Sequence, residues 1–170
     1  MKLPSFPFSF LFLLLLLSCA SPAEHTLEGL AGLLPLESPT APNSGEPNLL
    51  TTTDGQVYMN WIEKKEEGMN QLKFSKLEDK EWTSPQLIAE GKDWFVNWAD
   101  YPALAVQGDG HMIAHYLAKS GAGTYAYDVR VTQSFDDGKT WTEAASIHDD
   151  STQTEHGFVS MQTIGASDFF

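Results

Sequence analysis

From residue 44 onward, apolar and polar residues alternate at period two. Val57, Met59 and Trp61 alternate with Tyr58 and Asn60, and Leu72-Lys73-Phe74 and Asp128-Val129-Arg130-Val131-Thr132 do the same. Alternation of this kind marks strands with one face buried. No stretch shows convincing helical periodicity. Asp54-Gly55 and Asp109-Gly110 each sit between two strand-like runs, which is a strong hairpin signal. The pattern predicts strands near 47–52, 56–63, 70–77 and 84–89, then near 102–107, 111–118, 125–134 and 142–147.

The two sets of strands are copies of one unit. Pro47-Asn48-Leu49 precedes Asp54-Gly55 as Pro102-Ala103-Leu104 precedes Asp109-Gly110, at an offset of 55 residues. Ser75 and Trp82 stand seven apart, as do Ser134 and Trp141, at an offset of 59. A third copy is due near residue 157, where Gly157-Phe158-Val159-Ser160 stands. Repeats of this period belong to propellers and solenoids, whose units cannot bury their own faces alone.

Ser134-Phe135-Asp136-Asp137-Gly138-Lys139-Thr140-Trp141 matches Ser-x-Asp-x-Gly-x-x-Trp, and resembles the Asp-box, or bacterial neuraminidase repeat, of sialidases and related propellers. Ser75-Lys76-Leu77-Glu78-Asp79-Lys80-Glu81-Trp82 keeps only the Ser and Trp. The resemblance implies an all-β fold: part of a six-bladed β-propeller, about two blades plus the start of a third, over residues 44–170. It also implies that Ser134, Asp136, Gly138 and Trp141 are structural, on the blade periphery. On this reading the chain is the N-terminal part of a longer protein or a truncated reading frame. A small domain of two packed open sheets is the alternative.

Composition adds an export signal and a charge sign. Lys2 precedes the apolar run Phe10–Leu17, and Ser18 precedes the only cysteine, Cys19. The run is too short to span a bilayer and has a secretory layout. Leu16-Leu17-Ser18-Cys19 resembles a bacterial lipobox, which implies a signal peptide over 1–18 and a diacylated Cys19 anchored to a membrane. An ordinary signal peptide with a nearby cysteine is the other reading. Residues 19–43 read as a Pro-rich linker, with Leu27, Leu30, Leu33, Leu34 and Leu36 available for a docked turn. The formal net charge of -13 argues against binding nucleic acid through charge. Composition leaves the oligomeric state open.

Propellers bind ligands where the innermost strands begin. In this repeat register those positions hold Glu46, then Asp100 and Tyr101, then Glu155 and His156. Paired carboxylates beside an aromatic hydroxyl suit glycoside chemistry, so Asp100, Tyr101 and Glu46 are the catalytic candidates. Glu155 and His156 are candidates for substrate binding. Trp94 and Trp98 join them from a loop that also holds Phe95, because aromatic faces suit sugar rings; packing between blades is the competing role. Glu63, followed by Lys64 and Lys65, resembles a Glu-Arg-Arg segment of sialidases, and is a candidate on the same face or a solvated turn. His111 and His115 lie four apart on one strand, too far for one ion, so no metal site and no cofactor are expected.

The resemblance implies a sialidase-like exported lipoprotein that processes glycans. The alternative is a non-catalytic propeller that binds glycan or protein. Gly45-Glu46-Pro47 stands where the family has Arg-Ile-Pro, and Arg130, the only arginine, lies on another strand. The arginine clamp for a sialic-acid carboxylate therefore has no first member. One prediction follows from the leader alone: protein expressed in a Gram-negative host should carry acyl mass on an N-terminal Cys19, read by mass spectrometry, and an unmodified terminus elsewhere refutes the lipid anchor.

Overall fold

A computed structural model of the chain describes residues 33–164 and 168–169. The chain divides into two units, 1–35 and 36–170, and every strand among the described residues belongs to the second. The signal peptide and Cys19 lie outside the described residues. Among the described residues no helix is long and apolar enough to cross a membrane.

The fold is all-β. The first sheet holds β1 (Ser44–Thr51), β2 (Val57–Lys64) and β3 (Asn70–Glu78), with β4 (Glu81–Trp82) and β5 (Gln86–Gly91) both paired to β3. The second holds β6 (Ala103–Val106), β7 (Met112–Lys119), β8 (Tyr127–Ser134) and β9 (Ala145–Ser146) in that order. All pairs in both sheets are antiparallel. All eight expected strands are present, the last shortened to β9. β10 (Thr163–Ile164) and β11 (Asp168–Phe169) form a separate short hairpin. The expected inner strand of the third copy, following Gly157, is not formed as a strand.

The Asp-Gly turns are the same structure twice. Gly55 and Gly110 both have φ of +86°, a value costly for any residue with a Cβ. The Gly55 N–H donates to the Thr52 carbonyl and that of Gly110 to the Gln107 carbonyl, at 2.9 and 3.1 Å.

The second half of the repeat aligns differently from the sequence reading. Met59 pairs with Ser75, and Ala114 pairs with Thr132. Ser75 Oγ donates to the Thr83 carbonyl, as Thr132 Oγ1 does to that of Thr142. Ser75 is therefore the partner of Thr132, not of Ser134. The offset is 55 at Met59 and Ala114, 57 at Ser75 and Thr132, and 59 at Trp82 and Trp141. The first copy has no counterpart of the Ser134–Trp141 turn. It turns through Asp79 and Lys80, with φ of +49° and +69° between the paired Glu78 and Glu81, a two-residue hairpin of the kind that matches strand twist.

In the second copy the Ser134–Trp141 turn is held by side-chain hydrogen bonds. Ser134 Oγ accepts from the Gly138 N–H at 2.9 Å and donates to Asp136 at 2.8 Å. Asp136 accepts from the N–H and hydroxyl of Thr140 at 2.9 and 2.6 Å. These bonds, those from Thr140 first, hold its carboxyl at about 2. Trp141 is half-buried rather than enclosed, packed at the margin of the core between the sheets. Its Nε1 donates to the Gly138 carbonyl at 3.0 Å.

The sheets pack face to face. Ile62, Leu72, Phe74 and Ile88 of the first meet Leu104, Val106, Met112 and Ala114 of the second. Asn60, buried on the same face, donates through Nδ2 to the Pro102 carbonyl at 2.9 Å. The opposite face of the second sheet carries Leu117, Tyr127 and Val129, with Phe95, Val131 and Val159 against them.

Gly138 has φ of +78°, and a Cβ on it would lie 2.4 Å from Phe74. Gly138→Ala should therefore destabilise the chain by about 2–4 kcal/mol, combining backbone strain with overpacking. The check is the midpoint shift in urea at unchanged slope.

Candidate functional site

The site lies where β6 begins, β7 ends and residues 155–159 pass over the second sheet. Alternation along β7 turns Met112, Ala114 and Tyr116 toward the first sheet and His115 and Leu117 away from it. Along β8 the same rule puts Tyr127 and Val129 on the face of Leu117. Residues 93–95 extend this end: the Phe95 N–H donates to the Leu117 carbonyl and that of Lys119 to the Asp93 carbonyl, at 3.0 and 2.7 Å. Trp94 then stacks on Tyr116 at 4.2 Å, and Phe95 stacks on Tyr127 at 4.0 Å.

Tyr127 is the hub. It is fully buried, and its hydroxyl lies 3.1 Å from Asp100 Oδ2 and 2.8 Å from Glu155 Oε1. One phenol proton therefore faces two carboxylates. Burial first, then the bonds to Glu155 and Asp100, push the phenol well above its ordinary range. Asp100 also accepts from the Phe158 N–H at 3.0 Å and from Asn97 Nδ2 at 3.4 Å.

Beside this cluster is a cavity of about 170 Å³ lined by Asp100, Tyr101, His115, Leu117, Phe158 and Val159, with Ala99. That is small against the roughly 300–1,000 Å³ of ordinary ligand pockets. His115 is only 2% exposed, and neither ring nitrogen has a hydrogen-bond partner. Burial pushes it down to about 4, against the pull of Asp100. At neutral pH it is a neutral imidazole with one donor and one acceptor unspent, a costly state unless something in the cavity uses them. A larger groove, between the two Asp-Gly turns and Asp137, also holds a buried group without a partner, Gln107 Nε2, but no buried imidazole.

The structure brings some of the expected residues together. Asp100 and Glu155 meet through Tyr127, and Tyr101, half exposed, lines the cavity. Trp98 stands in the same loop, 87% exposed. Phe158, at 72%, adds an aromatic rim. Glu46 does not line the cavity; it sits at a β1 irregularity between Gly45 and Asn48 with φ of +52°. Trp94 is committed to Tyr116 and the inter-sheet core. Glu63 is buried on the first sheet with Lys65 and Lys73 at 2.6 and 2.8 Å and Trp61 Nε1 at 3.2 Å. Burial would raise its carboxyl, but these three donors overcome that and hold it at about 2. His156 points away from Tyr127's hydroxyl, against Asp128 and Asp150.

Sequence reasoning missed Tyr127 and His115 as site residues. Tyr127 heads a strand one residue before the alternating run Asp128–Thr132, and that position was a signal. His115 had no local signal, since the loops that enclose it are 14 and 43 residues away at Tyr101 and Phe158. No known family model matches the chain, and no curated protein matches it significantly.

His115 generates a pH prediction. Its folded value lies below the unfolded one, so the unfolded chain binds the extra proton first. Stability should be fully present above about 6.5 and fall as pH drops toward about 4, by about 3 kcal/mol from this group. Urea denaturation across that window should show the loss, and His115→Leu should flatten it.

Proposed function

We propose that this chain is part of a sialidase-like β-propeller, exported and lipid-anchored, that handles glycans at the inner-strand end of its blades. The propeller reading draws support from two antiparallel sheets of the blade pattern, packed face to face with β1 approaching β6, and from a complete Asp-box turn. The observation that carries the ligand reading is the cavity in which neutral, unpartnered His115 sits beside Asp100. Hydroxyl groups of a sugar satisfy both nitrogens of such an imidazole. Tyr101, Phe158 and Trp98 offer aromatic faces to its C–H surfaces.

The ligand class follows from charge. Asp100 lines the cavity with Glu155 next to it, and no cation lines it. An anionic sugar would face carboxylates with no guanidinium to pair it. The ligand is therefore a neutral glycan rather than a sialoside. In a processing role, Asp100 and Glu155 supply the acid–base pair. Tyr101, which lines the cavity, is the phenol open to a substrate there, and Tyr127 holds the two carboxylates in place.

A second reading, glycan binding without hydrolysis, is favoured by Tyr127 itself. Its ring is fully buried, and its proton is held by two carboxylates rather than withdrawn from it. A glycan array and a panel of fluorogenic glycosides separate these outcomes. Retention on neutral glycans is expected, weakened about three- to tenfold by Trp98→Ala, with sialosides neither bound nor cleaved. Turnover of a neutral glycoside that Asp100→Asn abolishes selects the enzyme, and retention without turnover selects the binding protein. Cleavage of sialosides, or no retention on any glycan, overturns the proposal.

A further inference from the structure

Successive residues of a strand point to opposite faces. Tyr127 reaches Asp100 and Glu155, and its neighbour Asp128 points the other way. The next residue after Glu155, His156, does the same. A second cluster forms there, back to back with the first.

Asp128 Oδ1 lies 3.4 Å from His156 Nδ1 and 3.5 Å from His148 Nε2. One ligand atom from each residue falls within 4.8 Å of the others. The two imidazoles stack at 3.9 Å with 13° between their planes. Asp128 Oδ1 and both nitrogens of His148 are buried atoms without a hydrogen-bond partner. Three polar groups thus converge without satisfying one another.

Two of the three separations, 3.4 and 3.5 Å, fit a metal, since ligands at roughly 2.0–2.1 Å from a tetrahedral centre stand about 3.3–3.4 Å apart. The stacked rings aim their lone pairs side by side, so binding turns one imidazole about its Cβ–Cγ bond toward the other's ion. The outer sphere fits as well. His156 presents Nδ1 to Asp128, and its Nε2 lies 3.2 Å from Asp150. A metal-bound histidine commonly gives its other N–H to a carboxylate in this way. Asp150 is fixed in turn by the Thr152 N–H and hydroxyl at 2.9 and 2.7 Å. The Tyr127 carbonyl, 3.2 Å from His156 Nδ1, accepts the proton that Nδ1 carries when no ion is bound.

We propose that Asp128, His148 and His156 form a binding site for a zinc-class divalent cation, which ties residues 148–156 to β8 and so positions Glu155 against Tyr127. Two imidazoles and one carboxylate are a borderline-soft donor set, suited to zinc or cobalt rather than calcium or magnesium. Asp128 and Asp150 supply the negative charge that holds the ion. Three protein ligands leave a coordination position for water. The inference stands on this cluster alone and does not need the glycan reading.

The test uses the untagged full chain, stripped with a chelator and titrated with cobalt(II). Saturable visible d–d bands at one equivalent, bleached by zinc, are expected. Zinc should raise the melting temperature and slow proteolysis between residues 148 and 156. His148→Ala and Asp128→Asn should each weaken binding on the order of 100-fold, and Asp150→Asn about 10–100-fold, as outer-sphere partners do. Circular dichroism reports whether each variant folds; should His148→Ala not fold, Asp128→Asn, which keeps the side-chain size, makes the same comparison. Wild-type protein that shows no d–d bands overturns the proposal, as does binding that neither variant weakens. Neither result touches the Asp100 cavity, so the glycan reading is judged separately.

Discussion

Phe74 of the first sheet meets Gly138 and Trp141 in the turn of the second, and much of the molecule depends on that contact. Phe74 is 1% exposed. It packs edge-on to Trp141 at 6.3 Å and against Tyr58 at 6.4 Å, and only a hydrogen at Gly138 leaves room for it. A sheet has two faces, and neither sheet can bury its own. The Phe74 contact sets how the second sheet lies on the first, and with it the direction of β6, β7 and β8. The Ser134, Asp136 and Thr140 bonds keep the turn in the shape that accepts the ring.

That orientation leaves the second sheet's far face to the candidate site. Its even positions on β7 are spent on the inter-sheet core, so His115 and Leu117 face outward with Tyr127 and Val129. Chain segments from three places cover them: Phe95 from before the sheet, Asp100 at its entrance, and residues 155–159 after it. The resulting cluster is over-determined by packing and under-supplied with positive charge. Asp100 and Glu155 share one phenol proton, and His115 stays neutral beside them. A site of that character can offer hydrogen bonds and accept or give a proton, and it repels anions.

Tyr127-Asp128 and Glu155-His156 are two adjacent pairs joined by a parallel bridge between Tyr127 and Glu155. Strand geometry sends one member of each pair to each side. The phenol–carboxylate cluster and the His–Asp cluster are therefore mechanically one object, and whatever holds residues 148–156 to β8 holds Glu155 in place. The lysine-bound Glu63 shows the contrast: a buried carboxylate whose partners leave it nothing further to do.

The sequence by itself determined the strands, both Asp-Gly turns and the all-β class, because period-two alternation and glycine at positive φ are local demands of the backbone. It also located Asp100, Glu155 and Tyr101 at one end, since a repeat register carries equivalent positions to equivalent places. The tertiary structure decided the rest. Ser75 was matched to Ser134 by equal spacing to a tryptophan, but ladder pairing matches it to Thr132; loop lengths are free to change, while hydrogen-bond register is not. Glu46 and Glu63 share the right strand ends yet belong to the first sheet, where a bulge and two lysines claim them. His115 and Tyr127 became site residues only through loops distant in sequence. Asp128, His148 and His156 converge across separations of 20 and 8 residues that follow no motif. Side chains meet according to which face of a sheet they leave and which segment returns to cover it, and that return path is a property of the packed molecule.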